Sequence, residues 1–186
     1  MYFCLKYCYL HMKQEDLRIL LSRKMSKEEI FAFSRMVNPC NCDRIFPLIA
    51  DKDRILSANV AHLCFYAGKD VETWLSGEAP KIMQIVQTTA HEKTRRLLMA
   101  ILEKIKFDTT NIDVRFLDYC IDGIVSPKVP SAIKVLCIKL AFKQSAAYSE
   151  LLSELKMILE TMDSSMLAPS VVCARKNILK RIAALL

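Results

Sequence analysis

One spacing recurs along this chain. Asp53, Glu92, Ser131 and Ser170 stand about 39 residues apart, and each is a residue type that helix starts favour. Two positions on, Ile55, Thr94, Ile133 and Val172 form a β-branched column, and Leu63, Leu102 and Ala141 keep the same register further along. A second set, Phe46, Ile85 and Ile124 with Phe116 and Leu155, repeats in the intervening segments. A period of this length fits a unit of two helices, which cannot bury its apolar faces alone and depends on neighbours stacked against it. Such an array presents an extended surface suited to binding rather than an enclosed reaction site.

The rest of the composition agrees with helices. Three Gly and six Pro in 186 residues are too few for the turns of a sandwich or barrel, while 53% apolar residues are ample for a core. The first helix is expected over 14–24. Ser26 with Glu29 three residues later reads as a capping box for a second helix reaching about Val37, where Asn38, Pro39 and Asn41 are read as its end. Residues 12–38 would then cap an array of four helix pairs over 43–186: 43–50 with 53–67, 79–88 with 91–106, 111–124 with 130–145, and 148–162 with 169–185. A short helical stretch around Trp74 and a turn at Gly77–Pro80 join the first two pairs. The second helices are apolar on more than one side. In 130–145, Ile133, Leu136, Cys137 and Leu140 make one stripe and Val135, Ile138 and Phe142 another, as a helix packed between neighbours requires.

Period, pairing and early Pro or acidic positions together resemble HEAT-like (armadillo/HEAT-type) repeats over about residues 43–186. The resemblance implies an all-α, right-handed α-solenoid of about four HEAT-like helix pairs with an N-terminal helical cap. It also implies that first helices line a convex face, that second helices line a concave face where partners bind, and that the chain is a non-catalytic interaction module. Residues 12–186 are accordingly read as one domain. Asp53–Arg54 fits the acidic and basic turn positions of that family loosely, and the later units depart from them.

Charge is distributed unevenly over this frame. The net charge is +7. First helices are acidic, with Asp113, Asp118 and Asp122 in one and Glu150, Glu154 and Glu160 in another. Second helices are basic, carrying Lys93, Arg95 and Arg96, then Lys134, Lys139 and Lys143, then Arg175, Lys176, Lys180 and Arg181. A basic second-helix face attracts acidic partners. Lys93, Arg95, Arg96, Lys134, Lys139, Arg175, Lys176 and Lys180 are the candidate residues, with an acidic protein as the expected partner and nucleic acid as the alternative. Helical phase limits the idea, because Lys134 and Lys143 lie about half a turn apart, and basic residues near helix C-termini also suit the macrodipole. A basic face on such an array is also similar to that of the HEAT-like DNA alkylation-repair glycosylases. Those enzymes set aromatic residues and a carboxylate in the cleft; no second helix here carries that constellation, so no catalytic residue is assigned.

Other chemistry finds little support. Cys40 and Cys42 beside Asp43 lack two nearby partners for a zinc site, and no metal or cofactor is expected. His62 and His91 have no nucleophile beside them, and Phe65 and Tyr66 are read as core. Met83, Met99, Met157 and Met162 are read as gap-filling core residues. Cys64, Cys120, Cys137 and Cys173 fall inside apolar helices, which suits reduced thiols and a cytoplasmic compartment. No apolar run approaches the roughly 20 residues that span a bilayer. Residues 1–11 are apolar and aromatic but interrupted by Lys6; they read either as part of the chain or as an extension upstream of a start at Met12. Ala183, Ala184, Leu185 and Leu186 make an apolar end, expected to self-associate through the last helix.

Overall fold

The computed structural model describes residues 13–186, so the choice between Met1 and Met12 lies outside the described residues. Among these residues the regular structure is eleven α-helices and two short 3-10 turns, with no strand. The chain divides into two compact units, one ending at Ile101 and one beginning at Leu102.

The first unit holds α1 (Gln14–Leu21), α2 (Lys27–Ser34), α3 (Pro39–Ile45), a 3-10 turn (Phe46–Ala50), α4 (Arg54–Tyr66), α5 (Lys69–Gly77), α6 (Ala79–Thr88) and most of α7 (Glu92–Lys104). The capping box at Ser26 and Glu29 starts α2 as expected. The segment after it differs from the sequence reading. Asn38 caps a further helix, accepting from the Cys40 amide at 3.0 Å while its own amide donates to Asn41, and Pro39 sits in the first turn. Asn and Pro punctuate a helix start as readily as a helix end. The helix expected over 43–50 is therefore two pieces: α3 from Pro39, then the 3-10 turn, where Pro47 has no N–H with which to continue α3.

α4 is the centre of this unit. The Asp53 carboxylate caps it, accepting from the Ile55 and Leu56 amides at 2.8 and 3.3 Å. Leu56 to Ala61, Leu63 and Cys64 are all buried, and α1, α2 and the 3-10 turn pack on it. Each fully buried aliphatic side chain contributes about 1.5–3 kcal/mol, so most of the stability of α4 is tertiary. Buried polar groups on α4 are all used. Asn59 donates to the carbonyls of Leu21 and Arg23, each at 2.9 Å, closing the end of α1. Ser57 donates to the Ile49 carbonyl at 2.6 Å and lies 2.9 Å from the Thr94 hydroxyl.

The second unit holds the end of α7, α8 (Val114–Val125), α9 (Ser131–Ser145), α10 (Ser149–Thr161), a 3-10 turn (Ser164–Met166) and α11 (Pro169–Ala183). Here α9 is central and packs against α8, α10 and α11. It buries a broad face, from Ile133 and Lys134 to Gln144 and Ser145, while Val135 and Leu136, one from each expected stripe, are half-buried. Gly123 on α8 lets α9 approach closely: a Cβ there would lie 2.5 Å from the Cys137 sulfur. The helix expected from 111 begins at Val114, because Asp113 turns to accept from the Phe116 amide at 3.0 Å. Met83 and Met99 are core, but Met157 lies on the solvent side of α10 and is 62% exposed.

Candidate functional site

The eight candidate cations differ in what they contact within their own units. Three of them point back into their own helix pair. Arg95, on the first turn of α7, donates through Nε to the Val86 carbonyl at 3.2 Å and through a second guanidinium nitrogen to the Thr89 carbonyl. Lys134, one turn into α9, is 7% exposed and donates to the Ser126 carbonyl at 2.8 Å. Arg175 on α11 donates to the carbonyls of Leu159 and Glu160 at 2.6 and 3.3 Å and to the Ser164 hydroxyl. In each pair a cation from the second helix satisfies the open carbonyl end of the first, where the helix dipole is negative. Ser57 does the same for the first pair through the Ile49 carbonyl. These contacts occupy Arg95, Lys134 and Arg175. A fourth, Lys139, pairs with Glu103 at 3.1 Å. Lys93, Arg96, Lys176 and Lys180 remain exposed and without an ion pair among the described residues.

Lys93 and Arg96 belong to a groove of about 800 Å3 in the first unit, floored by α4 and walled by α7 and the segment before α2. Two further cations, Lys24 and Arg54, face the same groove, against one acid, Glu92. Neither forms an ion pair among the described residues. The sequence reading missed both, since neither lies in the interior of a second helix, although the Asp53–Arg54 step marks the position. Lys93 and Arg96 are one turn apart, a like-charge spacing that costs about 0.2–0.5 kcal/mol in an isolated helix. Their field reaches α4. Burial, then Lys93 and Arg96, hold the His62 imidazole below its ordinary pKa.

Further along α4, beyond the residues that line the groove, lies an aromatic cluster. Ile55 is 40% exposed, and Phe31 and Tyr66 are each 37% exposed. Tyr66 is therefore a surface residue rather than the core residue its apolar neighbours suggested. Phe31 lies 4.5 Å from Tyr66, His62 stacks on it at 6.0 Å, and Phe65 meets it edge-on at 5.0 Å.

The second unit has a groove of about 660 Å3 beside α9 and α11. Its cations are occupied internally. Lys139 pairs with Glu103. Lys143 donates to the carbonyls of Leu102 at 2.8 Å, Glu103 at 3.2 Å and Ile105, and lies 4.4 Å over Phe107. The Arg181 guanidinium lies 4.3 Å over Phe142. Burial lowers the Lys143 pKa, partly offset by Glu103.

The six described cysteines are free thiols. Burial raises the pKa of Cys42 to about 11 and that of Cys64 to about 12, so neither is a ready thiolate. No described group of His, Cys, Asp and Glu is arranged to hold a metal, and no described helix is long and apolar enough to cross a membrane.

The sequence model of the HEAT repeat domain matches residues 17–182. No curated protein and no solved structure matches the chain.

Proposed function

The chain belongs to the HEAT repeat domain family, and from that premise we propose that it is a non-catalytic interaction module whose first unit receives an acidic protein partner. HEAT repeats generally mediate protein–protein interaction, and their proteins are typically non-enzymatic scaffolds. The observation that carries the finer reading is the groove floored by α4. Lys24, Arg54, Lys93 and Arg96 line it with a single acid, and none of the four forms an ion pair among the described residues. Unpaired like charges in a concavity are relieved by a partner of opposite sign, which also gains encounter rate from their field. A cytoplasmic, reducing location belongs to the same proposal and is supported by the buried free thiols of Cys64, Cys120 and Cys137.

Nucleic acid is the second reading, because the same cations suit phosphates. Anisotropy of a labelled hexaglutamate peptide, a labelled DNA duplex and a labelled single strand, each titrated across a salt series, separates the two. The proposal expects saturable peptide binding and weak nucleic-acid binding. Tight duplex or single-strand binding that falls steeply with salt, without peptide binding, overturns it in favour of the second reading.

A further inference from the structure

Beyond the lining of the cationic groove, α4 carries an aromatic cluster. Ile55, Asn59, His62 and Tyr66 follow one another along α4 at spacings of three and four residues, which places them on one stripe of the helix, with Ile55 and Tyr66 exposed, His62 half-buried and Asn59 buried at its floor. The cations flank the Ile55 end. At the other end stand Phe31 and Tyr66, partly exposed, with Lys27 lying 5.8 Å from the Phe31 ring. His62 joins the two: it feels Lys93 and Arg96 and stacks on Tyr66. The stripe runs about 16 Å at ~1.5 Å per residue. An extended peptide covers that length in about five residues at ~3.3 Å each.

Resting on the acidic-partner reading above, we infer that this stripe is a two-part docking site for a peptide segment of a partner protein. Carboxylates of the segment lie among Lys24, Arg54, Lys93 and Arg96, and one apolar side chain about five residues away seats against Phe31 and Tyr66. Charge complementarity selects the acidic part. The aromatic part selects an apolar side chain over a nucleobase, because a base needs an open ring face on which to stack and Tyr66 already has Phe31, His62 and Phe65 around it. An acidic tract alone would bind with little selectivity; an apolar anchor at a fixed distance supplies register, as hot-spot anchors do at protein interfaces.

The test compares three fluorescein-labelled peptides on the full chain at low salt: hexaglutamate, and hexaglutamate with Leu-Phe added at the N-terminal or at the C-terminal end. One anchored peptide is expected to bind about tenfold tighter than hexaglutamate, the scale of burying one apolar side chain. Tyr66→Gln is expected to remove that increment and leave hexaglutamate affinity within about twofold; circular dichroism checks that the variant is folded. Equal affinity for all three peptides on the unaltered protein overturns the two-part site and leaves the acidic groove standing. Failure of every peptide to bind overturns both. Displacement of the anchored peptide by an equal concentration of a single-stranded oligonucleotide overturns the choice of a protein segment.

Discussion

The two units share a plan, and the cations that line their grooves are used in opposite ways. Each has a central second helix, α4 or α9, and a groove beside it. Along α9 the cations are spent within the fold: Lys134 on Ser126, Lys139 on Glu103, Lys143 on the carbonyls at 102, 103 and 105. Along α4 the structural duty falls to neutral groups, Ser57 and Asn59, and the cations around the groove are left over. A basic helix is thus not a basic binding face until its internal acceptors are counted. A lysine that holds a helix end contributes stability, while one facing an empty groove is available to a ligand.

The contrast is most exposed at Lys134. Lys134→Ala would leave a part-buried carbonyl unpaired and is expected to lower unfolding free energy by about 1–3 kcal/mol in urea denaturation. Lys93→Ala is expected to change it by less than about 0.5 kcal/mol. Equal costs would erase the distinction between the units. Packing gives a second contrast. Gly123→Ala drives a methyl against Cys137 and is expected to cost about 1–3 kcal/mol, recovered in part by Cys137→Ala. Gly77→Ala in the first unit meets nothing within 4 Å and is expected to be neutral or stabilising by about 0.4–1 kcal/mol. Thermal melts that rank the two glycines the other way would contradict the close approach of α8 and α9.

A smaller effect belongs to the first unit alone. The folded pKa of His62 lies below its unfolded value, so the unfolded chain binds the proton more readily. The stability this group contributes is present above about pH 6.5 and is lost as pH falls through the folded pKa. Neutralising the groove with Arg96→Gln, or filling it with the acidic peptide, is expected to raise the His62 pKa followed by NMR. An unmoved titration with peptide bound would place the ligand elsewhere. The smallest expected effect concerns the end of the second unit. Leu185 and Leu186 are 56% and 57% exposed, and weak self-association through them is proposed, to be abolished by Leu185→Asp with Leu186→Asp. A monomer at every concentration in sedimentation would contradict it.

Much of this fold was legible because its signals are local and periodic. Leu63, Leu102 and Ala141 share a register and are all fully buried, and Asp53 and Ser26 cap the helices their positions announce. Asn38–Pro39 misled because the same residues open and close helices, and only the chain beyond decides which. The site was harder. Charge is visible in sequence, but the direction of a side chain is not: Arg95 and Arg96 are neighbours, yet one turns to the Val86 carbonyl and the other to the groove. Lys24 and Phe31 join the site only through tertiary packing of the segments around α2 on α4, which no spacing along the chain encodes.

The most direct test of the account is one titration of labelled hexaglutamate at low salt against three proteins: the unaltered chain, Lys93→Glu with Arg96→Glu, and Lys176→Glu with Lys180→Glu. Both double variants change net charge equally, and all four residues are exposed. Reversal in the first unit is expected to weaken binding at least about tenfold, while reversal in the second leaves it within about threefold. Equal losses in the two variants would show that the peptide responds only to overall charge and would contradict a site in the α4 groove.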